Sequence, residues 1–182
     1  MGAFNFIDMN TIIKVIIITV LFLSCKKEEI KTKGIEFYLP ENPTNIINCK
    51  DFNFNTPVLQ STPIIADKDI INYNWEIHEI TISQDAYIKL KNHRDKTLPI
   101  YPLVLTLNGE RIYGLFYKFA ILAMGCETTL IGESGWGNIP KDGGENFSIV
   151  HGQVYDRSTL GKDPRSDKRI YDYLKSTGRL ME

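Results

Sequence analysis

The sequence predicts an α+β domain: a mostly antiparallel sheet built around a central Asn-Gly hairpin at residues 103–117, with two or three short helices on one face. Three observations lead there. Strand-like and helix-like stretches follow one another in mixed order, which suits helices packed over one side of a sheet. Asn108-Gly109 stands between two apolar runs and supplies positive φ at both turn positions, as a two-residue type I′ hairpin requires. A chain of 182 residues with 43% hydrophobic content can bury one core of ordinary size without help from metals or dense disulfides.

Each element has its own signal. Residues 35–39 form a strand closed by Pro40, and an Asn-rich loop containing Pro43 leads to a short strand at Val58-Leu59. Asp67 caps a short helix with Ile70 and Tyr73 on one face, and Asn74-Trp75 then turns the chain with Trp75 at the core edge. Residues 76–82 alternate with period two, so His78, Ile80 and Ile82 point one way and Glu79 and Thr81 the other. Ser83 caps a helix to about Asn92 with Ala86, Tyr87 and Leu90 inward.

In the hairpin, strict alternation pairs Leu105 with Ile112. Leu103, Leu105 and Leu107 then face the core, and Val104, Thr106, Arg111 and Tyr113 share the opposite face. Residues 115–125 suit a helix by the spacing of Phe116, Phe119, Ala120 and Ala123, and a strand by their aromatic and β-branched content. Strands at 128–131 and 147–150 flank a glycine-rich loop from Gly132 to Gly144. Pro164 opens a closing helix over about 166–177, with Ile170, Tyr173 and Leu174 as its apolar face and Gly178 as its stop. The segment from Asp67 to Tyr117 resembles small periplasmic α/β modules found in the soluble loops of export machinery, a likeness that carries no residue role with it.

The beginning of the chain carries a different kind of information. An uncharged apolar run follows Lys14 and ends in Ser24 and Cys25. It is about nine residues long where a spanning helix needs about 20, so it reads as the core of a removable signal peptide. Met9 gives the usual short basic lead and is the expected start. Phe6 stands where myristoylation at Gly2 would want Ser or Thr.

Leu21-Phe22-Leu23-Ser24-Cys25 resembles the lipobox of bacterial lipoproteins, with Phe22 replacing the usual aliphatic residue. The resemblance implies that the Cys25 thiol receives a diacylglycerol and that the peptide is cut just before it. The chain then divides into a signal peptide at 1–24, a lipidated cysteine with a polar tether at 25–33, and a single globular domain at 34–182. Lys26-Lys27-Glu28-Glu29 resembles a short charged export signal of Gram-negative lipoproteins, and equally fits a solvated charge cluster in a tether. The expected location is the cell outer membrane, lipid-anchored on its periplasmic or its surface face.

Composition narrows the partners. A formal net charge of −1 and the absence of a basic stripe argue against nucleic acid. The membrane is one partner, through the lipid, and an envelope protein or small ligand is another. Cys49 and Cys126 form a candidate disulfide that would add roughly 4–5 kcal/mol by closing a long loop, against the alternative of two buried thiols.

Sites of chemistry are sparse. His78, His93 and His151 are far apart in sequence and no Cys-x-x-Cys or His-Glu-x-x-His occurs, so no metal site and no cofactor is expected. Gly132-Glu133-Ser134-Gly135 resembles the surroundings of a chymotrypsin-like serine nucleophile, with His78 or His93 and Asp85 or Asp95 ahead of it, but Glu133 stands in place of aspartate. Trp136 excludes the Gly-x-Ser-x-Gly elbow. The candidate partner contacts are Trp136 in the glycine loop and Arg111 and Tyr113 on the hairpin face. The expected function is a non-catalytic binding or accessory module anchored in the envelope. The alternatives are a small envelope hydrolase using Ser134 or a histidine, and a structural component without a ligand site.

Overall fold

The apolar pattern produces strands more often than helices. The computed structural model of the chain describes residues 34–42, 52–94, 100–118, 126–133, 144–153 and 162–181. Within them run β1 (Ile35–Tyr38), β2 (Ile70–Asn74), β3 (Glu79–Ile82), β4 (Ile100–Leu107), β5 (Glu110–Lys118), β6 (Cys126–Glu133), β7 (Glu145–Gln153) and β8 (Leu180–Met181). Helix α1 (Gln84–Arg94) links β3 to β4, and α2 (Lys168–Ser176) lies between β7 and β8. All eight strands belong to one sheet, in the order β1-β4-β5-β6-β7-β3-β2-β8.

This corrects the expected fold class. The sheet is mixed and curled into a half-barrel, with β5–β6 and β2–β8 running parallel, and it carries two α-helices among the described residues. It is not a mostly antiparallel sheet with two or three helices on one face. Periodicity reveals which residues face inward. It is silent on the direction of the neighbouring strand, which depends on where the connections return.

Two further corrections share one cause, the β-bulge. Ile70 and Tyr73 do not lie on a helix; Asp67–Asp69 is a single 3₁₀ turn that leads straight into β2. Ile70 pairs with Ile82 and Asn72 with Thr81, so Ile71 is an extra residue, and both Ile70 and Tyr73 turn inward at a spacing that mimics a helix face. In the hairpin, Thr106 pairs with Arg111 but Leu105 pairs with Tyr113. Ile112 is the extra residue there. Tyr113 is thereby moved to the leucine side and lies 3% exposed in the core, while Arg111 stays on the other face.

Other elements form as their residues demand. Asn108 and Gly109 take φ of 53° and 83°, closing the hairpin. Ser83 Oγ accepts from Ala86 N at 3.3 Å at the start of α1, and Ala86 and Leu90 are buried beneath it. Asp163 accepts from Arg165 N in the 3₁₀ turn Pro164–Ser166, and Asp167 caps α2 through Arg169 N. Ile170 and Leu174 of α2 enter the core, and Gly178 takes φ 70° just after the helix.

The concave side of the sheet holds the main core, with Phe37, Leu103, Leu115, Tyr117, Ile131, Phe147 and Ile149 almost fully buried around both helices. Each such side chain contributes about 1.5–3 kcal/mol when taken out of water. A void of about 10 Å³ among Phe37, Tyr73, Ile80, Leu105, Tyr113 and Ile149 has walls too apolar to hold water.

Among the described residues the convex side is covered only in part. Behind β4 and β5 the 52–58 segment packs Phe52 edge-on against Phe116, 5.4 Å between ring centres. Arg111 locks it there, donating to the carbonyls of Phe54 at 2.7 Å and Pro57 at 2.6 Å. Gly114 is needed beneath it, since a Cβ would stand 2.6 Å from that of Phe54.

The curl is closed by a polar node. The Asp67 carboxylate accepts from Ile35 N at 2.8 Å and from Arg179 Nη2 at 2.9 Å, while Arg179 Nη1 donates to the Asp67 carbonyl. The first described residue, Gly34, donates to Asn108 Oδ1 and accepts from Asn108 N. Its φ of +105° and the Asp67 carboxyl beside it leave no room for a side chain. Gly34 and Ile35, the hairpin turn and the residues after α2 are thus joined at one point.

Candidate functional site

The most distinctive surface grows from the turn between β2 and β3. Asn74 ends β2, and its Oδ1 accepts from Glu76 N at 3.1 Å and Ile77 N at 3.3 Å, a side chain standing in for backbone in a tight turn. His78 then takes φ 52°, a left-handed conformation costing about 1 kcal/mol or more for a residue with a Cβ. That kink is held from two sides. The His78 carbonyl accepts from Ile149 N at 2.8 Å, and its Nδ1 lies 2.8 Å from the Tyr73 hydroxyl.

Aromatic rings gather around this point. Trp75 meets Tyr73 at 5.8 Å, His78 at 5.6 Å and Tyr171 of α2 at 5.1 Å between ring centres, the last two edge to face. Trp75 N donates to the Met181 carbonyl, tying the turn to β8. Lys175 Nζ stands 5.5 Å from the Tyr171 ring centre. At the rim, Ile77 is 59% and Met181 47% exposed, large apolar side chains left in water beside half-buried Trp75 and Tyr171.

A charged pair sits behind the rings. Arg165 holds Asp163 with its Nε and Nη2, and its Nη1 donates to the Ile149 carbonyl at 2.8 Å. Hydrogen bonding from the Arg165 side chain pulls the Asp163 carboxyl down to about 2. Burial raises the Tyr73 hydroxyl far above its usual value, and burial followed by the nearby Arg165 cation lowers His78. His78 is therefore a neutral imidazole at pH 7. Assigning the protonated Tyr73 hydroxyl as donor to Nδ1 places the ring proton on Nε2.

The arrangement suits contact better than chemistry. Tyr73 is a poor nucleophile when its proton is held so firmly, and the Asp163–Arg165 pair is committed to the fold. His93 lies on α1, its ring 5.0 Å from that of Tyr101, and its carbonyl accepts the Tyr101 hydroxyl. His151 on β7 has Nδ1 3.2 Å from Thr129 Oγ1. Among the described residues no three His, Cys, Asp or Glu side chains converge as a metal site would need, and no helix is long and apolar enough to cross a membrane.

The residues singled out from sequence fall in several places. Arg111 is half-buried and bonded to the 52–58 segment, and Tyr113 is enclosed in the core. Cys126 begins β6, paired with Gln153, while Cys25, Cys49, Ser134 and Trp136 lie outside the described residues. The Trp75–Ile77–Tyr171–Met181 rim was missed. Its signal was present in Asn74-Trp75-Glu76-Ile77, two large apolar residues inside a turn where polar ones are usual. Comparison with protein-family models, curated proteins and solved structures gives no match for the chain.

Proposed function

We propose that the chain is a lipid-anchored, non-catalytic accessory module of the cell envelope, held by Cys25 and meeting its partner through the aromatic turn at Trp75–His78. The lipobox-like run ending in Ser24-Cys25 supports the anchor. One acyl chain gives only marginal attachment at about 0.8 kcal/mol per methylene, whereas the two or three chains on such a cysteine hold lastingly. The observation that carries the contact role is the rim itself, where Ile77 and Met181 stay in water around an aromatic cluster braced by the Tyr73–His78 hydrogen bond. Such a surface gives contact area on a stiff support at little ordering cost.

The anchor is tested by growing cells with a clickable fatty acid and isolating the protein. Label should appear on the wild type and vanish in Cys25→Ala. Label kept by the variant would refute lipidation at that position.

A further inference from the structure

The rim has the make-up of a surface that lies at a water–lipid boundary. Two aliphatic side chains, Ile77 and Met181, are exposed; Trp75 and Tyr171 stand half-buried beside them; Lys175 sits next to Tyr171. Indole and phenol rings favour headgroup level, and a lysine near them attracts anionic headgroups. Glu76, exposed in the same turn, offsets that cation, so the contact is apolar before it is electrostatic.

We propose that the partner of this rim is the lipid surface to which the chain is tethered, so that the domain lies down on the bilayer with Trp75, Ile77, Tyr171 and Met181 in the headgroup region. The inference rests on lipidation of Cys25. Reach permits it. The described residues begin at Gly34, and the next one, Ile35, is bonded to Asp67, three residues before β2. From there β2 leads to the turn in about 13–17 Å at the usual strand rise, and a chain of eight residues such as 26–33 can reach at most about 28 Å. One bilayer plane can therefore take both the acyl chains and the rim.

Two magnitudes favour lipid over a second protein. Four side chains cover far less than the roughly 800 Å² per partner of a stable protein interface. A short tether, in contrast, holds the rim at an effective concentration in the millimolar range beside the bilayer, where a contact too weak for a free domain becomes populated.

The test uses the full chain. Trp136→Phe leaves Trp75 as the sole tryptophan, and the protein is incorporated into phosphatidylethanolamine–phosphatidylglycerol vesicles with or without acyl-chain bromine. Bromine should quench Trp75, and Ile77→Asp should lower the ratio of docked to undocked protein roughly tenfold or more. Ile77 is exposed, so its variant keeps the fold, which an unchanged melting curve verifies. Unquenched Trp75 in vesicle-bound protein that carries acyl label on Cys25 overturns the inference and keeps the anchor. Quenching without label overturns the anchor and keeps the rim. Emission that responds to protein concentration and not to lipid gives the rim to a second copy and overturns the inference.

Discussion

The two halves of the curled sheet solve different problems. In the β1–β4–β5 half both faces are covered. Leu103, Leu105 and Leu107 enter the core, while Val104 and Phe116 are buried on the convex side, where the 52–58 segment packs Phe52 against Phe116. In the β7–β3–β2–β8 half the convex side is mixed, with Val150 exposed on it beside polar residues. The convex side carries Asn72, Thr81 and Asn146, with the Thr81 hydroxyl 2.6 Å and 2.7 Å from the two asparagine side-chain oxygens. One hydroxyl proton serves one of them, so the other asparagine turns its amide toward Thr81. Strands buried on both faces read as continuous apolar runs, as β4 does, and strands with one polar face alternate, as β3 does although its Thr81 is buried. The end of the second half carries the apolar rim.

That contrast can be broken from its closed side. Leu115→Ala empties a fully buried position and should cost about 2–5 kcal/mol in denaturant unfolding; a loss under 1 kcal/mol would mean the core there collapses around the gap. Arg111→Ala leaves the Phe54 and Pro57 carbonyls without their charged donor and should cost about 2 kcal/mol. It should also open the 52–58 segment to limited proteolysis while the β2–β3 turn stays resistant. Cleavage at both places alike would erase the distinction between the halves.

The open side should respond to pH. The folded-state pKa of His78 lies below 6.5, so folding favours its neutral form. Its contribution is complete above about 6.5 and is lost as pH falls from there through the lowered folded value. His78→Asn, which tolerates the left-handed backbone, should flatten the stability profile below that point. An unchanged slope would show that the ring is not desolvated. Asp163 marks a second window at lower pH, its contribution present above 3.8 and lost as pH falls toward about 2. Lys168→Ala should matter least. Its partner Asp172 and Lys168 itself are both largely exposed, and such an i,i+4 pair gives about 0.3–0.5 kcal/mol. A larger effect would show that α2 depends on its outer face.

Much of the local structure was legible. The Asn108-Gly109 turn, the Ser83 cap, the inward faces of both helices and the Gly178 stop each follow from one or two residues whose backbone or capping needs are strong. The errors at Ile70–Tyr73 and Leu105–Tyr113 come from bulges. One inserted residue in one strand shifts every later side chain to the other face, and nothing in the alternation marks where the insertion falls. Of the candidate contacts on the hairpin, that shift carries Tyr113 into the core, and Arg111 bonds carbonyls more than fifty residues away in sequence, which no local pattern signals.

What the sequence determined by itself was local: turns where only glycine or asparagine suits the backbone, caps, the inward apolar faces, and a lipobox-like run whose meaning depends on adjacent residues alone. Tertiary structure decided the parallel joints β5–β6 and β2–β8, the burial of Tyr113 and the meeting of Trp75, His78, Tyr171 and Met181. The physical reason is range. Backbone preferences act within a few residues, whereas strand direction and the gathering of rings from β2, α2 and β8 depend on how distant segments bury their apolar faces together.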